Sequence, residues 1–529
     1  MKQSLLFILF LFLSSFASAQ QPFEKIIYSD RVETGNIVKK CNNGYIIAGR
    51  ASDSSFNIGC YLLRTDMNGN RIWDKLFLDG YSLNTINLVA CNDGGFAVTC
   101  VVGFPNDDTT LVMKVDSMGA IEWSQKFYYG TGDFCRPEAL IQTGDGGFAL
   151  LGLYRNIIGT FSEETFLAKF NGSGNLQWTK KFDHGTGNFL SCYDLTEDLL
   201  GNLYITGANK LFSEGSLILK TDASGNILDV HLFRTNSFGY RYPQHISARS
   251  DGSFDIAFGN EFGVNTDQVL FLHVNTSGQV LDARFYGVTD LSQFRDVYRM
   301  SDTEFLLTGN STNSIFNTDA VMMKVNQGNG TVDWGRTYGA NGYDVGNSAI
   351  VDGINCVMVG NAQDDSLGIA SGSYPTDLFL LKTNQNGNIA CFTNSIATTV
   401  TNITVADSAY SLNTADVTSS TIVTAFIPVI KNFYQDTVIC TGVSVSEVNN
   451  NHEFQLFPDP AADHVKIVMQ TFDKDAQVII TSITGQIIDI IDLDQPEIDV
   501  DLKRYEGGLY IVRLVTHDSQ SIRKLIVNH

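Results

Sequence analysis

Residues 145–152, "DGGFALLG", and residues 166–178, "FLAKFNGSGNLQW", decide the fold between them. The first is a Gly turn, a short run of strand-forming residues and a small closing residue. The second is an apolar run, one basic residue, an Asn two positions on, a Gly turn and a tryptophan. Asn-Gly and Asp-Gly between β-rich runs predict two-residue hairpin turns, because such turns need positive φ. Helical spacing is absent, so the stretch reads as tightly turned antiparallel strands.

The pattern recurs with a period near 51. The closing residues of seven copies are Gly49, Cys100, Gly152, Gly207, Gly259, Gly309 and Gly360, and the runs between copies vary as loops would. Each copy predicts four strands, with tight turns joining the first to the second and the third to the fourth. Units of this size, each unable to bury its own faces, predict propeller blades. The expected fold class is all-β: a seven-bladed β-propeller over 20–394, followed by a small C-terminal β-sandwich. Residues near Glu24 to Tyr28 repeat the fourth-strand pattern, and the seventh copy stops soon after Cys391. The N-terminal segment is therefore expected to complete the last blade.

All four tryptophans, Trp73, Trp123, Trp178 and Trp334, fall four residues after a Gly at the start of the fourth strand. Asp229, Asp282 and Cys391 stand where the remaining copies would place one. The expected role of the rings is docking of one blade on the next.

The chain has 529 residues, 43% hydrophobic and 17% charged, enough for more than one core. Its net charge of −22 and the lack of a Lys/Arg-rich run argue against nucleic acid as a partner. Residues 1–19 read as a secretory signal peptide cleaved between Ala19 and Gln20. No later stretch is long and apolar enough for a transmembrane helix. The expectation is an acidic exported protein that passes through the periplasm. The nine cysteines include no C-x-x-C pair; Cys391 and Cys440, which bracket a low-complexity stretch, are the candidate disulfide.

The units resemble repeats common in secreted bacterial proteins, with "YGANGYD" (338–344), "TGDGGFALLG" (143–152) and "RTDMNGNRIW" (64–73) closest to their consensus. A Thr/Ser-rich connector, 395–451, carries none of the anchors. Residues 452–529 resemble the type A C-terminal sorting domain of the type IX secretion system, through "LFPDPAADHVKI" (456–467), "ITGQII" (483–488) and "YEGGLYIVRL" (505–514). In that resemblance Phe457, Pro458, Pro460, Gly485, Gly508 and Tyr510 carry the sorting motif. It implies type IX machinery as a partner and a secreted or surface-attached product.

No hydrolase, zinc-protease, P-loop or dinucleotide fingerprint is present, the histidines are scattered, and no metal or cofactor is expected. Third-strand basic residues Arg64, Lys114, Lys169, Lys220, His273, Lys324 and Lys382 each have Asp or Asn two positions on, which predicts structural pairing rather than an anion-binding ring. Binding is expected on the opposite face, where longer loops gather. Phe134, Phe189, Tyr240, Phe294 and Tyr343, with Arg136, Arg241, Arg295 and Asp344, are the candidate ligand residues. The expected function is a binding or adhesion module for a glycan or protein. The alternatives are a propeller-type polysaccharide hydrolase or lyase and a structural surface or matrix protein.

Overall fold

A computed structural model describes residues 22–528 except 28–32, 54, 80, 104–107, 130–132, 157–161, 184–189, 210–214, 235–242, 260–267, 289–290, 315–316, 340–342, 363–376, 390–392, 397, 403–405, 410–412, 417–421, 426–428, 432–435, 442–453, 459, 470–475, 483–486, 506 and 516–519. Among the described residues every regular element is a strand, and no helix is long and apolar enough to cross a membrane. The signal peptide and its Ala19–Gln20 cleavage site lie outside the described residues. So does Cys391, and of Cys440 only the backbone is described.

The seven repeats form seven antiparallel sheets. Sheet one takes Glu33–Cys41, Gly44–Ser52, Ile58–Thr65 and Arg71–Leu78 in order, and sheets two to six repeat this. Sheet seven takes Val345–Asp352, Asn355–Ala362 and Asp377–Lys382 from the last repeat, and Phe23–Ile27 from the N-terminus as its fourth strand. The strands lack apolar-polar alternation because both faces are covered. In Gly44–Ser52, Tyr45 and Ile47 enter a core shared with sheet seven, and Ile46 and Ala48 one shared with sheet two. Among the described residues there are seven such cores, each drawn from two successive sheets, one of them joining the seventh to the first.

The turn between third and fourth strands differs from the two-residue form that the Gly motifs suggest. In sheet one the Gly69 N–H donates to Asp66 O (3.1 Å) and the Asp66 N–H to Asn70 O (2.8 Å). Only Gly69 has positive φ, at 71°, and the register slips beside Thr65. This is a longer turn closed by a glycine bulge. The Asp66 carboxylate accepts from the Asn68 and Asn70 amides, both at 2.8 Å. The recurring Asp or Asn therefore caps its own turn rather than pairing with the cation two residues before it.

The turn glycines also serve the sheet boundaries. Trp73, Trp123 and Trp334 donate from Nε1 to a turn carbonyl of the following sheet, those of Ser117 (3.0 Å), Gly172 (3.1 Å) and Gln385 (3.1 Å). Their rings lie on Gly119, Gly174 and Gly387, and Trp178 lies on Gly225. A Cβ at Gly174 would sit 2.5 Å from the Trp123 ring, so only glycine admits this contact. In sheet seven the tryptophan register belongs not to Cys391 but to Phe23, which pairs with Lys382 as Trp73 pairs with Arg64 and covers Gly69 of sheet one. Asp229 and Asp282 hold the same register in sheets four and five. There the docking side chains are His231 and Arg284, two residues further, lying over Gly278 and Gly330 and paired to those aspartates at 2.9 and 3.1 Å.

The segment read from the sequence as a connector, 395–451, is not one throughout: residues 393–441 add a fifth antiparallel strand to each of the seven repeat sheets. The additions follow the sheets in reverse order: Thr393–Ser395 on sheet six, Thr398–Asn402 on five, Ala406–Ala409 on four, Asn413–Asp416 on three, Ile422–Ala425 on two, Val429–Lys431 on one and Asp436–Thr441 on seven. Each pairs with the fourth strand, whose open edge would otherwise invite another chain. The last addition leaves Phe23–Ile27 hydrogen-bonded on both sides.

Residues 444–529 form a separate compact unit. A three-stranded sheet (Phe454–Phe457, His464–Met469, Glu497–Asp501) and a four-stranded sheet (Ile487–Asp492, Gln477–Ser482, Gly508–Val515, Gln520–Val527) contribute to one hydrophobic core, including Val465, Ile467, Val478, Ile480, Val512 and Leu525.

Candidate functional site

The first strand of each of the seven sheets carries a β-bulge at one position. The register slips at Gly35/Ile37, Thr85/Asn87, Pro137/Ala139, Cys192/Asp194, Pro243/His245, Phe294/Asp296 and Gly346/Ser348. Cys100 lies opposite in sheet two, and the repeated closing glycine does so in sheets one, three, four, six and seven. The glycine's absent side chain makes room for the first-strand backbone: a Cβ at Gly207 would be 2.8 Å from Ser191 O. Bulges re-aim side chains, and the extra residues Asn36, Ile86, Glu138, Tyr193, Arg295 and Asn347 all line one cavity of about 1050 Å³. The first strands of all seven sheets contribute to its wall.

Polar bonds across sheet boundaries fix this wall. Asn347 Nδ2 donates to Gly35 O (2.8 Å) and Asn36 Nδ2 to Thr85 O (3.1 Å). Asp194 accepts from the Ile246 amide at 3.0 Å and lies 3.3 Å from His245 Nδ1. Burial raises the Asp296 carboxyl above the usual carboxylate range, against the opposing effects of Lys39, the Ser348 hydroxyl and His245. Glu138, Asp194 and Asp296 thus bring carboxylates to the cavity from sheets three, four and six. Among the described residues no cluster of His, Cys, Asp or Glu could hold a metal ion.

The candidate ligand residues divide. Phe189, Tyr240 and Arg241 lie outside the described residues. Phe294 is buried in the core between sheets five and six with Phe271, Tyr286 and Phe305. Phe134 is half-buried under the Arg155 guanidinium, 5.2 Å from its ring centroid, and Arg136 is exposed 3.7 Å from Glu138. Tyr343 is exposed, and the Asp344 amide donates to Thr318 O at 2.7 Å. Arg295 is the candidate that faces the cavity, with Tyr343 near enough to act on it electrostatically. Sequence reasoning missed Asn36, Tyr193, Asp194, His245 and Asn347; the closing glycine was the available signal, since it marks the bulge opposite.

The third-strand cations are engaged inside the structure. Lys114 pairs with Asp93 (2.6 Å) and Glu122, Lys169 with Asp145 (2.9 Å), Lys324 with Glu304 (2.8 Å) and Asp333 (3.1 Å). Lys382, with its side chain wholly buried, bonds to Tyr45 (2.7 Å), the Met67 carbonyl and Asp352 (3.1 Å) across the boundary of sheets seven and one. Arg64 donates to the Asn42 and Thr65 carbonyls, His273 meets Ser253, and Lys220 lies 4.9 Å from the Tyr204 ring centroid.

Among solved structures the chain is similar to PorZ of Porphyromonas gingivalis, described as an essential bacterial surface component of the type IX secretion system (11% identity, 92% of this chain and 69% of that one, TM-score 0.34). A Dyadobacter fermentans protein of unknown function (11%, 68% and 98%, TM-score 0.40) and the polysaccharide lyase Uly1 (8%, 69% and 100%, TM-score 0.39) are similar at the same level. At these scores none of the three bears on what this chain does. No curated protein matches it.

Residues 455–528 match the family described as the secretion system C-terminal sorting domain. In this unit Phe457, Pro458 and Pro460 are exposed around the end of the first strand, Gly508 opens the strand Gly508–Val515, and Tyr510 is buried against Tyr505, with ring centroids 5.2 Å apart. Gly485 lies outside the described residues. The C-terminal unit is a type IX sorting domain, which marks the chain for export to the cell surface or beyond.

Proposed function

We propose that the seven sheets are the blades of a closed β-propeller, and that the exported protein binds an extracellular glycan in the propeller's channel. The observation that carries this reading is the cavity to which bulges on the first strands deliver Asn36, Tyr193, Arg295 and Asn347. A rigid wall of polar groups with an aromatic suits a polyhydroxylated ligand. A screen of the full chain against a glycan array is expected to give hits that Asn36→Ala/Asn347→Ala weakens at least tenfold; hits unaffected by that pair would remove the channel from the reading.

The export route extends this proposal: a signal peptide over 1–19 delivers the chain to the periplasm, and the sorting domain carries it outward. A chain ending at Ser444 should accumulate in the periplasm, and its display on the surface would refute the route. A second reading, hydrolysis of a polysaccharide, is favoured by Glu138, Asp194 and Asp296 on one cavity. It predicts reducing-end release that Asp194→Asn abolishes.

A further inference from the structure

We infer that the channel ligand is an acidic saccharide whose carboxylate is held by Arg295. This rests on the glycan reading above and adds the ligand's charge. Of the other cavity cations, Lys40 pairs with Asp352 at 2.6 Å, Arg50 donates to Asn84 at 3.2 Å, and Lys39 is near enough to Asp296 to act on its carboxyl electrostatically. Arg295 is exposed to the cavity, and among the described residues it makes no hydrogen bond or ion pair. An unpaired guanidinium on a polar wall is a fork for a carboxylate.

Its neighbour along the same bulge level, Asn347, and Asn36 beyond it spend their amide N–H groups on Gly35 and Thr85 carbonyls. Among the described residues no donor reaches the Oδ1 atom of either. These oxygens face a ligand as acceptors, and acceptors call for O–H donors, which a sugar ring presents on every side. Cation and acceptors together match a uronate: its acid group on Arg295, its hydroxyls on the asparagines. The net charge of −22 does not forbid this, because at physiological salt surface charges are screened beyond about 8 Å and the contact with Arg295 is direct.

The test titrates the full chain with a β-linked glucuronate tetrasaccharide and with its carboxyl-reduced, neutral counterpart. Wild type should bind the acidic sugar at least tenfold more tightly. Arg295→Met should lose that preference and bind the two sugars alike at the wild-type melting temperature, and Arg295→Lys should restore part of it. Equal binding of both sugars by wild type, or an undiminished preference in Arg295→Met, would overturn the inference and leave the glycan reading standing. Binding of neither sugar would remove both.

Discussion

The contact between Trp123 of sheet two and the turn of sheet three can be dissected by mutation. Trp123 is half-buried, stands 5.6 Å from Phe148 edge to face and donates to Gly172 O at 3.1 Å. A tryptophan buries about 200 Å² when covered, so half covered it hides about 100 Å². At about 25 cal/mol per Å² this contributes about 2.5 kcal/mol, and the hydrogen bond adds about 1 kcal/mol. Trp123→Ala should then cost about 3.5 kcal/mol.

The partner residue makes the reasoning stricter. Gly174 has φ of 80°, where a side chain costs about 1–2 kcal/mol, and its added Cβ would also meet the Trp123 ring at 2.5 Å. Gly174→Ala should cost about 3 kcal/mol in the wild type but only about 1–2 kcal/mol once Trp123 is Ala, where backbone strain alone remains. Urea unfolding followed by circular dichroism reads the cycle. An identical cost of Gly174→Ala in both backgrounds would refute docking of the ring on the turn.

Removing 393–441 while keeping the sorting domain should expose seven strand edges and drive self-association, read by light scattering; a monomeric, equally stable product would show that the fifth strands do not protect them. Asp352→Ala strands the wholly buried Lys382 at the boundary of sheets seven and one, and should cost about 3–5 kcal/mol, whereas Asp352→Asn with Lys382→Met should recover much of it in the same unfolding assay. Burial would raise the Asp145 carboxyl, but Lys169, the Thr143 hydroxyl and the Gly147 amide hold it down at about 2, against an ordinary 3.8. A depressed carboxylate stabilises above its unfolded pKa and loses that contribution as pH falls through the folded one. The melting temperature should therefore show a component falling between pH 4 and pH 2 that Asp145→Asn lacks; an unchanged profile would contradict the pairing with Lys169.

The repeat was legible because its anchors are local: a turn glycine, a basic residue and a tryptophan keep their spacing whatever the neighbouring loops do. The sorting domain was legible for the same reason, through short motifs in fixed order. The fifth strands were not. They are three to six residues long, follow one another every five to nine residues, and pair with strands up to several hundred positions earlier. His231 and Arg284 escaped notice because Asp229 and Asp282 hold the tryptophan register and the docking role moved two residues on. The bulged residues were hidden for a different reason. A bulge is a property of two paired strands, so Arg295, read as a loop residue, turns out to face the cavity.

Hydrogen exchange of the full chain, with and without a saturating saccharide from the array, tests most directly whether the cavity is the binding site. Protection should appear in first-strand peptides from several sheets, above all 33–41, 190–197 and 291–299. Protection confined to the turns at 66–70 and 116–120, or to the sorting domain, would contradict it.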